Sequence, residues 1–491
     1  MKKHILSIGL SLALCVSAFG QKKSIEKNFD QAQAVAHLAA LSSDRMMGRD
    51  PGRPEIKLAI DYISNEFSRL GLKEVPGTTA YLQDVPMRLS SPPSKAEVKM
   101  GDQTFLLKES LLVLEGEAIS GDYELIDLGY GLMEDYAGKD VKGKIVITNL
   151  GAPNQMSPAE LFSLGREKVA LASKNGAVAL IEMYNIPSIP WPLISNYLSR
   201  DQMSLDMGNS SNLPYIWLQD LKNENKNAIS SGKITKASLD IEEKINKTID
   251  GKNILGWIEG TNSKLKNEFI LLSAHYDHVG VGAPDATGDS IYNGTRDNAI
   301  GTVSVMNAAQ YFVDNPPKRS VLFALWTAEE KGLLGSEYFS ENPLIPLNQI
   351  SYNLNIDGAG YNDTSVVTVI GLERTTEMAK LKQATSEFGL ESIDDPAPEQ
   401  GLFDRSDNVN FAKKGIPSPT FSLGFTAFDD EINKYYHKAG DEIESVDLTY
   451  VGKYWKSYIL AAEMIANNKK MIFWLPGDKY EEAGKSLYGI E

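Results

Sequence analysis

The chain has 491 residues and a net charge of −16, from 65 acidic and 49 basic side chains. That balance argues against nucleic acid and against an anionic membrane surface as partners. A single cysteine, Cys15, excludes an internal disulfide and leaves His, Asp and Glu to hold any metal; His is scarce, at positions 4, 37, 275, 278 and 437.

Lys2 and Lys3 precede an apolar run from Ile5 to Phe19, and Ala18-Phe19-Gly20 offers small residues at the positions a signal peptidase reads. The pattern predicts a signal peptide over 1–20, a mature chain from Gln21, and export to the periplasm or the outside. No later run approaches the roughly 20 apolar residues of a membrane span, so no membrane anchor is expected in the mature chain. Leu14 stands where lipid attachment at Cys15 would want a small residue.

Residues 21–92 open with a helical pattern at Ala34, Leu38 and Leu41 that ends at Gly48-Arg49-Asp50-Pro51-Gly52. A second helix carries Ile56, Ala59, Ile60, Ile63, Phe67 and Leu70 on one face and stops at Gly71. Between 93 and 245 the text is strand-rich, with short runs such as Lys144-Ile145-Val146-Ile147 and Ala177 to Ile181 and one helix near 158–174. This predicts a smaller β-rich domain inserted in a host. From 246 to 491 strands and helices alternate. Strands are expected at Phe269–Ala274, Val321–Trp326, Tyr352–Ile356, Val366–Ile370 and Thr420–Leu423, and helices at Asn298–Val313 and Leu448–Ala466. The fold class is α/β, a mixed, mostly parallel sheet flanked by helices.

Ligands of such sheets gather at the carboxyl ends of strands, and polar residues appear there. His275-Tyr276-Asp277 follows the first of these strands, Asp297 opens a helix, Glu329-Glu330 follows Trp326, Asp357 ends the next strand, and Tyr436-His437 lies in a late loop. Imidazole and carboxylate are good zinc ligands. Two adjacent ions need one bridging carboxylate and roughly two further ligands each, and the set divides into one bridging Asp and one His with one acid per ion. One Glu remains to act on water.

The segments Ser273 to Asp277, Asn293 to Ala299, Thr327 to Ser336, Asn355-Ile356-Asp357 and Tyr436-His437 resemble the two-zinc exopeptidase family, which includes bacterial secreted aminopeptidases and glutamate carboxypeptidase. The Gly48-Arg49 loop is similar to that family's opening element. The resemblance implies two zinc ions, with Asp297 bridging, His275 and Asp357 completing one site, and Glu330 and His437 the other. It further implies that Asp277 holds the His275 imidazole. Glu329 is implied as general base, taking a proton from the metal-bridging water and returning it to the leaving amine. Tyr436 is implied either as a donor to the tetrahedral oxyanion or as a packing residue. His278 has no counterpart in the resemblance and is expected at the rim or behind the ligands. Ile300, Arg296 and Asn408 depart from the family's usual text.

The text of 93–245, at Tyr136 to Val146 and Lys174 to Val178, resembles a protease-associated domain. The function so implied is removal of amino-terminal residues from peptide substrates. A carboxypeptidase would share every metal ligand. A glutaminyl cyclase on the same fold works with one zinc and usually lacks both an Asn after the bridging Asp and the insertion. A catalytically dead binding protein would have lost ligands, and all five are present.

Overall fold

The structure, a computed structural model, describes residues 20–154, 158–208 and 212–490, so the expected signal peptide lies outside the described residues but for Gly20. The chain forms two compact units, one running to Val85 and again from Asp250, the other spanning Pro86–Ile249. The second is a few residues wider at each end than the 93–245 read from sequence. Strands Leu82–Ser91 and Ile245–Ile258 run unbroken through both junctions, so no turn residue marks them.

In the first unit the strands that frame the site are β1 (Ile245–Ile258, entering the unit at Asp250), β2 (Phe269–His275), β3 (Ser320–Trp326), β4 (Ile350–Ile356), β5 (Val366–Ile370), β6 (Glu391–Ile393) and β7 (Thr420–Ser422). They lie in the order β6-β5-β7-β4-β2-β3-β1. Pairs β6/β5, β7/β4, β4/β2 and β2/β3 are parallel, while β5/β7 and β3/β1 are antiparallel. Strands β2, β3 and β5 are buried at every residue, which explains their continuous apolar text: both faces are covered, so no polar alternation is needed.

Helices α1 (Gln31–Leu41), α2 (Ile56–Leu70), α3 (Ile300–Asp314) and α4 (Leu448–Ala466) pack into the larger core. Some of their ends have a plain local cause. The Asp30 carboxylate accepts the N–H groups of Ala32 and Gln33 at the start of α1, and Gly71, at φ 71°, ends α2 in the left-handed region that glycine tolerates. On α4, Tyr450, Tyr454 and Tyr458 sit one turn apart and donate to the carbonyls of Val366, Phe421 and Leu354. One helix face is thereby tied to β5, β7 and β4. Phe339 and Phe411 cover Trp326 in a separate core cluster.

The second unit holds an eight-stranded sheet. Strands Ile119–Asp127, Ile145–Asn149, Ala179–Tyr184 and Tyr215–Gln219 run parallel within it. Helix Pro158–Lys174 brings Lys168 to Glu182 at 2.5 Å with both side chains about 1% exposed. Lys168 also donates to the carbonyls of Asn149 and Gly151, and Glu182 accepts from Tyr215 and Trp217, so this buried charge pair is fully hydrogen-bonded. Among the described residues no helix is long and apolar enough to cross a membrane.

Candidate metal centre

Every site residue read from the sequence falls in the first unit, several of them at the carboxyl ends of its parallel strands. His275 closes β2, Glu329 and Glu330 follow β3, and Asp357 follows β4. Asp297 precedes α3 rather than lying in it. Its backbone and that of Asn298 are non-helical, so the helix begins at Ile300 and not at the expected Asn298. Asn298 donates to the Ile356 carbonyl at 2.9 Å, tying this turn to the end of β4. Gly301 is required beneath it, because a Cβ there would lie 2.0 Å from Asn298 Oδ1.

His275 Nε2 lies 3.4 Å from Asp297 Oδ1 and 3.2 Å from Asp357 Oδ1. His437 Nε2 lies 3.2 Å from the other oxygen, Asp297 Oδ2, and 3.1 Å from Glu330 Oε2. Zinc bonds of about 2.0–2.1 Å in a tetrahedron put neighbouring ligand atoms roughly 3.3–3.4 Å apart. These four separations therefore fit ligand edges, and Asp297 offers one oxygen to each set, as a bridge must. Glu329 Oε2 stands 3.9 Å from His275 Nε2, outside those edges.

Asp277 reaches its neighbours differently from what the resemblance implies. His275 Nδ1 faces the Asp277 backbone carbonyl at 3.2 Å, while the carboxylate is 3.9 Å away. The carboxylate instead accepts the N–H groups of Glu329, at 3.1 Å, and Glu330, at 3.3 Å. Asp277 thus fixes the imidazole through its main chain and the turn carrying both glutamates through its side chain. Tyr436 stacks its ring on the His437 imidazole, centroids 4.0 Å apart, and lines the same pocket.

The pocket, of about 100 Å³, opens over Asp297, Glu329, Glu330, Asp357 and His437. Its apolar lining includes Ile370, Leu402, Phe425 and Phe428, and Arg405 is among the polar lining residues.

Residues 253–461 match the model of peptidase family M28. Those residues belong to peptidase family M28. Aminopeptidase YwaD of Bacillus subtilis is 26% identical over 328 residues, covering 66% of this chain and 62% of that protein. A vacuolar membrane protease of Candida tropicalis is 34% identical over 143 residues, covering 28% of this chain and 14% of that protein. The matched stretch is thus less than two thirds of the length of either curated relative. Among solved structures, an aminopeptidase from Aneurinibacillus sp. strain AM-1 superposes over 93% of this chain and 98% of its own, with a TM-score of 0.57 at 20% identity. The mixed α/β fold is shared with it.

Charge in the M28 domain calls for cations. Asp277, Asp297, Asp407 and Asp441 are all buried at the site, against two buried guanidiniums, Arg49 and Arg296. Buried charge is tolerated when paired or bound to metal. Burial pushes the Asp277 carboxyl up to about 6 and Glu329 well above the carboxylate range. Burial and the neighbouring Asp297 charge also press on Glu330, yet His278 and His437 hold it down at about 2. With only protons to balance the carboxylates, burial lowers the His437 imidazole but Asp297 and Glu330 outweigh it, raising it to about 10. The M28 domain is therefore a cation-seeking cluster of His, Asp and Glu, and its donors fit two zinc ions.

Two residues of this centre were not assigned a role from sequence. Arg49 donates to the carbonyls of Tyr276 (2.7 Å), Leu41 (2.8 Å), Asn293 (2.5 Å) and Gly294 (2.8 Å), joining the His275 strand end to the loop before Asp297. Its neighbour Gly48, at φ 64°, has no room for a side chain, since a Cβ would meet the Gly280 carbonyl at 2.4 Å. Asp441 accepts the N–H groups of Arg296 and Asp297. The Gly48-Arg49 text had signalled the first; nothing around Asp441 distinguishes it from an ordinary loop acid. The departures are structural: Arg296 lies over the Tyr435 ring at 3.5 Å, Ile300 is core, and Asn408 donates to the carbonyls of Phe403 and Ser418.

Proposed function

We propose that this protein is a zinc-dependent exopeptidase that removes amino-terminal residues from peptides. The observation that carries the reading is Asp297, which presents one oxygen to the His275 and Asp357 donors and the other to His437 and Glu330. Bound there, zinc supplies Lewis acidity, polarising a carbonyl and lowering the pKa of water. His275 and Asp357 would hold one ion, Glu330 and His437 the other, and Asp297 both.

The chain's own residues do the rest. Glu329, whose burial makes it a stronger base than an ordinary carboxylate, takes a proton from the attacking water and hands it to the leaving amine. Asp277 keeps Glu329 in place through its main-chain N–H. The Tyr436 hydroxyl donates to the oxyanion of the tetrahedral adduct. Ile370, Leu402, Phe425 and Phe428 receive an apolar terminal side chain. Attack at the amino end is supported by the similarity to aminopeptidase YwaD of Bacillus subtilis.

Arg405 in the pocket favours a second reading, a carboxypeptidase whose substrate carboxylate it would bind. One experiment separates the two. The protein is incubated with unblocked peptides, with and without a chelator, and masses are followed over time. Chelator-sensitive loss of single residues from the amino end supports the proposal; loss from the other end moves the assignment to the carboxypeptidase, and unchanged masses sink both.

Export to the periplasm or the outside belongs to the same proposal, supported by the Lys2 to Gly20 text. A secreted chain starting at Gln21 is its test, and a full-length intracellular product would contradict it. Pro86–Ile249 is read as a protease-associated domain on the strength of its Tyr136 to Val146 segment.

A further inference from the structure

His278 follows Asp277 directly, and its imidazole is completely buried, 0% exposed. Such a ring ordinarily satisfies at least one nitrogen with a hydrogen bond. Here neither Nδ1 nor Nε2 has an aligned partner, and neither does Glu330 Oε1. Yet His278 Nδ1 stands only 2.7 Å from that oxygen. The pair is closer than tetrahedral ligand edges, but its donor and acceptor directions lie off the line between the two atoms, so neither atom is spent on the other and both remain available to a cation.

The surroundings hold the ring there. Gly294 lies against it, and a Cβ at that position would come within 2.5 Å of His278 Cγ and Cδ2. The main-chain N–H of His278 donates to the Arg49 carbonyl. The ring meets His437 edge-on at 5.5 Å between centroids. One ligand atom each from His278, Asp297, Glu330 and His437 lie within 4.8 Å of one another, whereas His275 and Asp357 are grouped with Glu329 and no second histidine.

We propose that His278 is a further protein ligand of the ion held by Glu330 and His437. That ion then has two imidazoles, and the one at His275 has one. The two positions are unequal: the nitrogen-richer site holds its ion more firmly and leaves fewer open positions, so the His275 site is the one more readily emptied.

The inference rests on the two-zinc reading above, and the test separates their failures. Zinc-edge X-ray absorption of the zinc-saturated full chain counts imidazoles per ion, and competition with a chromophoric chelator measures both affinities. The wild-type protein is compared with His278→Phe and His278→Asn. Asn keeps an N–H near the Nδ1 position but is a poor zinc ligand, so it rescues a ring that merely orients Glu330 and cannot rescue a ligand.

The expected result is three imidazoles over two ions in the wild type and two in both variants. One affinity should fall by more than the about 10–100-fold that an outer-shell partner contributes. Wild-type affinity in His278→Asn, or an unchanged imidazole count, overturns the ligand role while leaving two-zinc binding intact. A wild-type chain that takes up no zinc overturns both. Circular dichroism of the metal-free variants confirms that they fold, and should Phe not be accommodated, Asn alone decides.

Discussion

Replacing Arg49 by Met keeps most of the side-chain volume while removing the charge and all donors. Four buried carbonyls, those of Tyr276, Leu41, Asn293 and Gly294, lose their partner. At about 1 kcal/mol net per bond the loss is about 4 kcal/mol. The charge offers an independent figure. The guanidinium is so buried that its pKa falls to about 10, held there by Asp277, Asp297, Asp441 and Glu330. Removing one partner of a buried ionic cluster costs about 3–5 kcal/mol, in agreement. Because a domain is stable by only about 5–15 kcal/mol, equilibrium urea unfolding of the zinc-saturated protein should show a large drop in midpoint. Arg49→Lys should recover only part of it, since one ammonium cannot reach carbonyls spread around a planar fork. A Met variant within about 1 kcal/mol of the wild type would refute the assignment of Arg49 as the staple between the end of β2 and the loop before Asp297.

Glu329→Gln should lower kcat by about 100- to 10,000-fold with zinc content unchanged; loss of zinc in that variant would make Glu329 a ligand rather than a base. The metal-free protein should lose stability as pH rises from 6.5 to about 10, because the raised His437 pKa stabilises fully below its unfolded value and ceases to do so above its folded one. Asp407, pushed by burial up to about 7, acts in the same direction from 3.8 upward. Thermal unfolding with and without chelator checks this, the zinc-loaded protein being the flatter of the two across that window. Lys168→Met in the second unit leaves Glu182 buried without its cation and should destabilise by about 3–5 kcal/mol, with no change in zinc uptake; calorimetry and metal analysis together read both.

Much of the M28 domain was legible because its chemistry is written at strand ends. Val366–Ile370 and Leu448–Ala466 come out residue for residue, since continuous apolar runs and an Asp cap state their limits plainly. The helix expected from Asn298 starts at Ile300 because local text does not reveal that Asp297 and Asn298 are pulled out of helical backbone. That these side chains converge was readable from the sequence; their hydrogen-bond partners were less so. An Asp two residues from a His suggests a side-chain contact, and only the folded turn shows that Asp277 spends its carboxylate on the Glu329 and Glu330 N–H groups. His278 has no counterpart in the resemblance and is therefore read from sequence as a rim or supporting residue, and strand alternation offers no help in placing it. The chain has left β2 by then, and alternation no longer applies.

The central claim is that Asp297 joins two metal sites, and titration with zinc tests it most directly. Metal-free protein and its Asp297→Ala variant are titrated, and bound zinc per chain is counted after removal of free metal. The account predicts two equivalents in the wild type, from the two donor groups that meet at Asp297, and the loss of tight binding at both in the variant. Two equivalents retained without Asp297, or only one in the wild type, would contradict it.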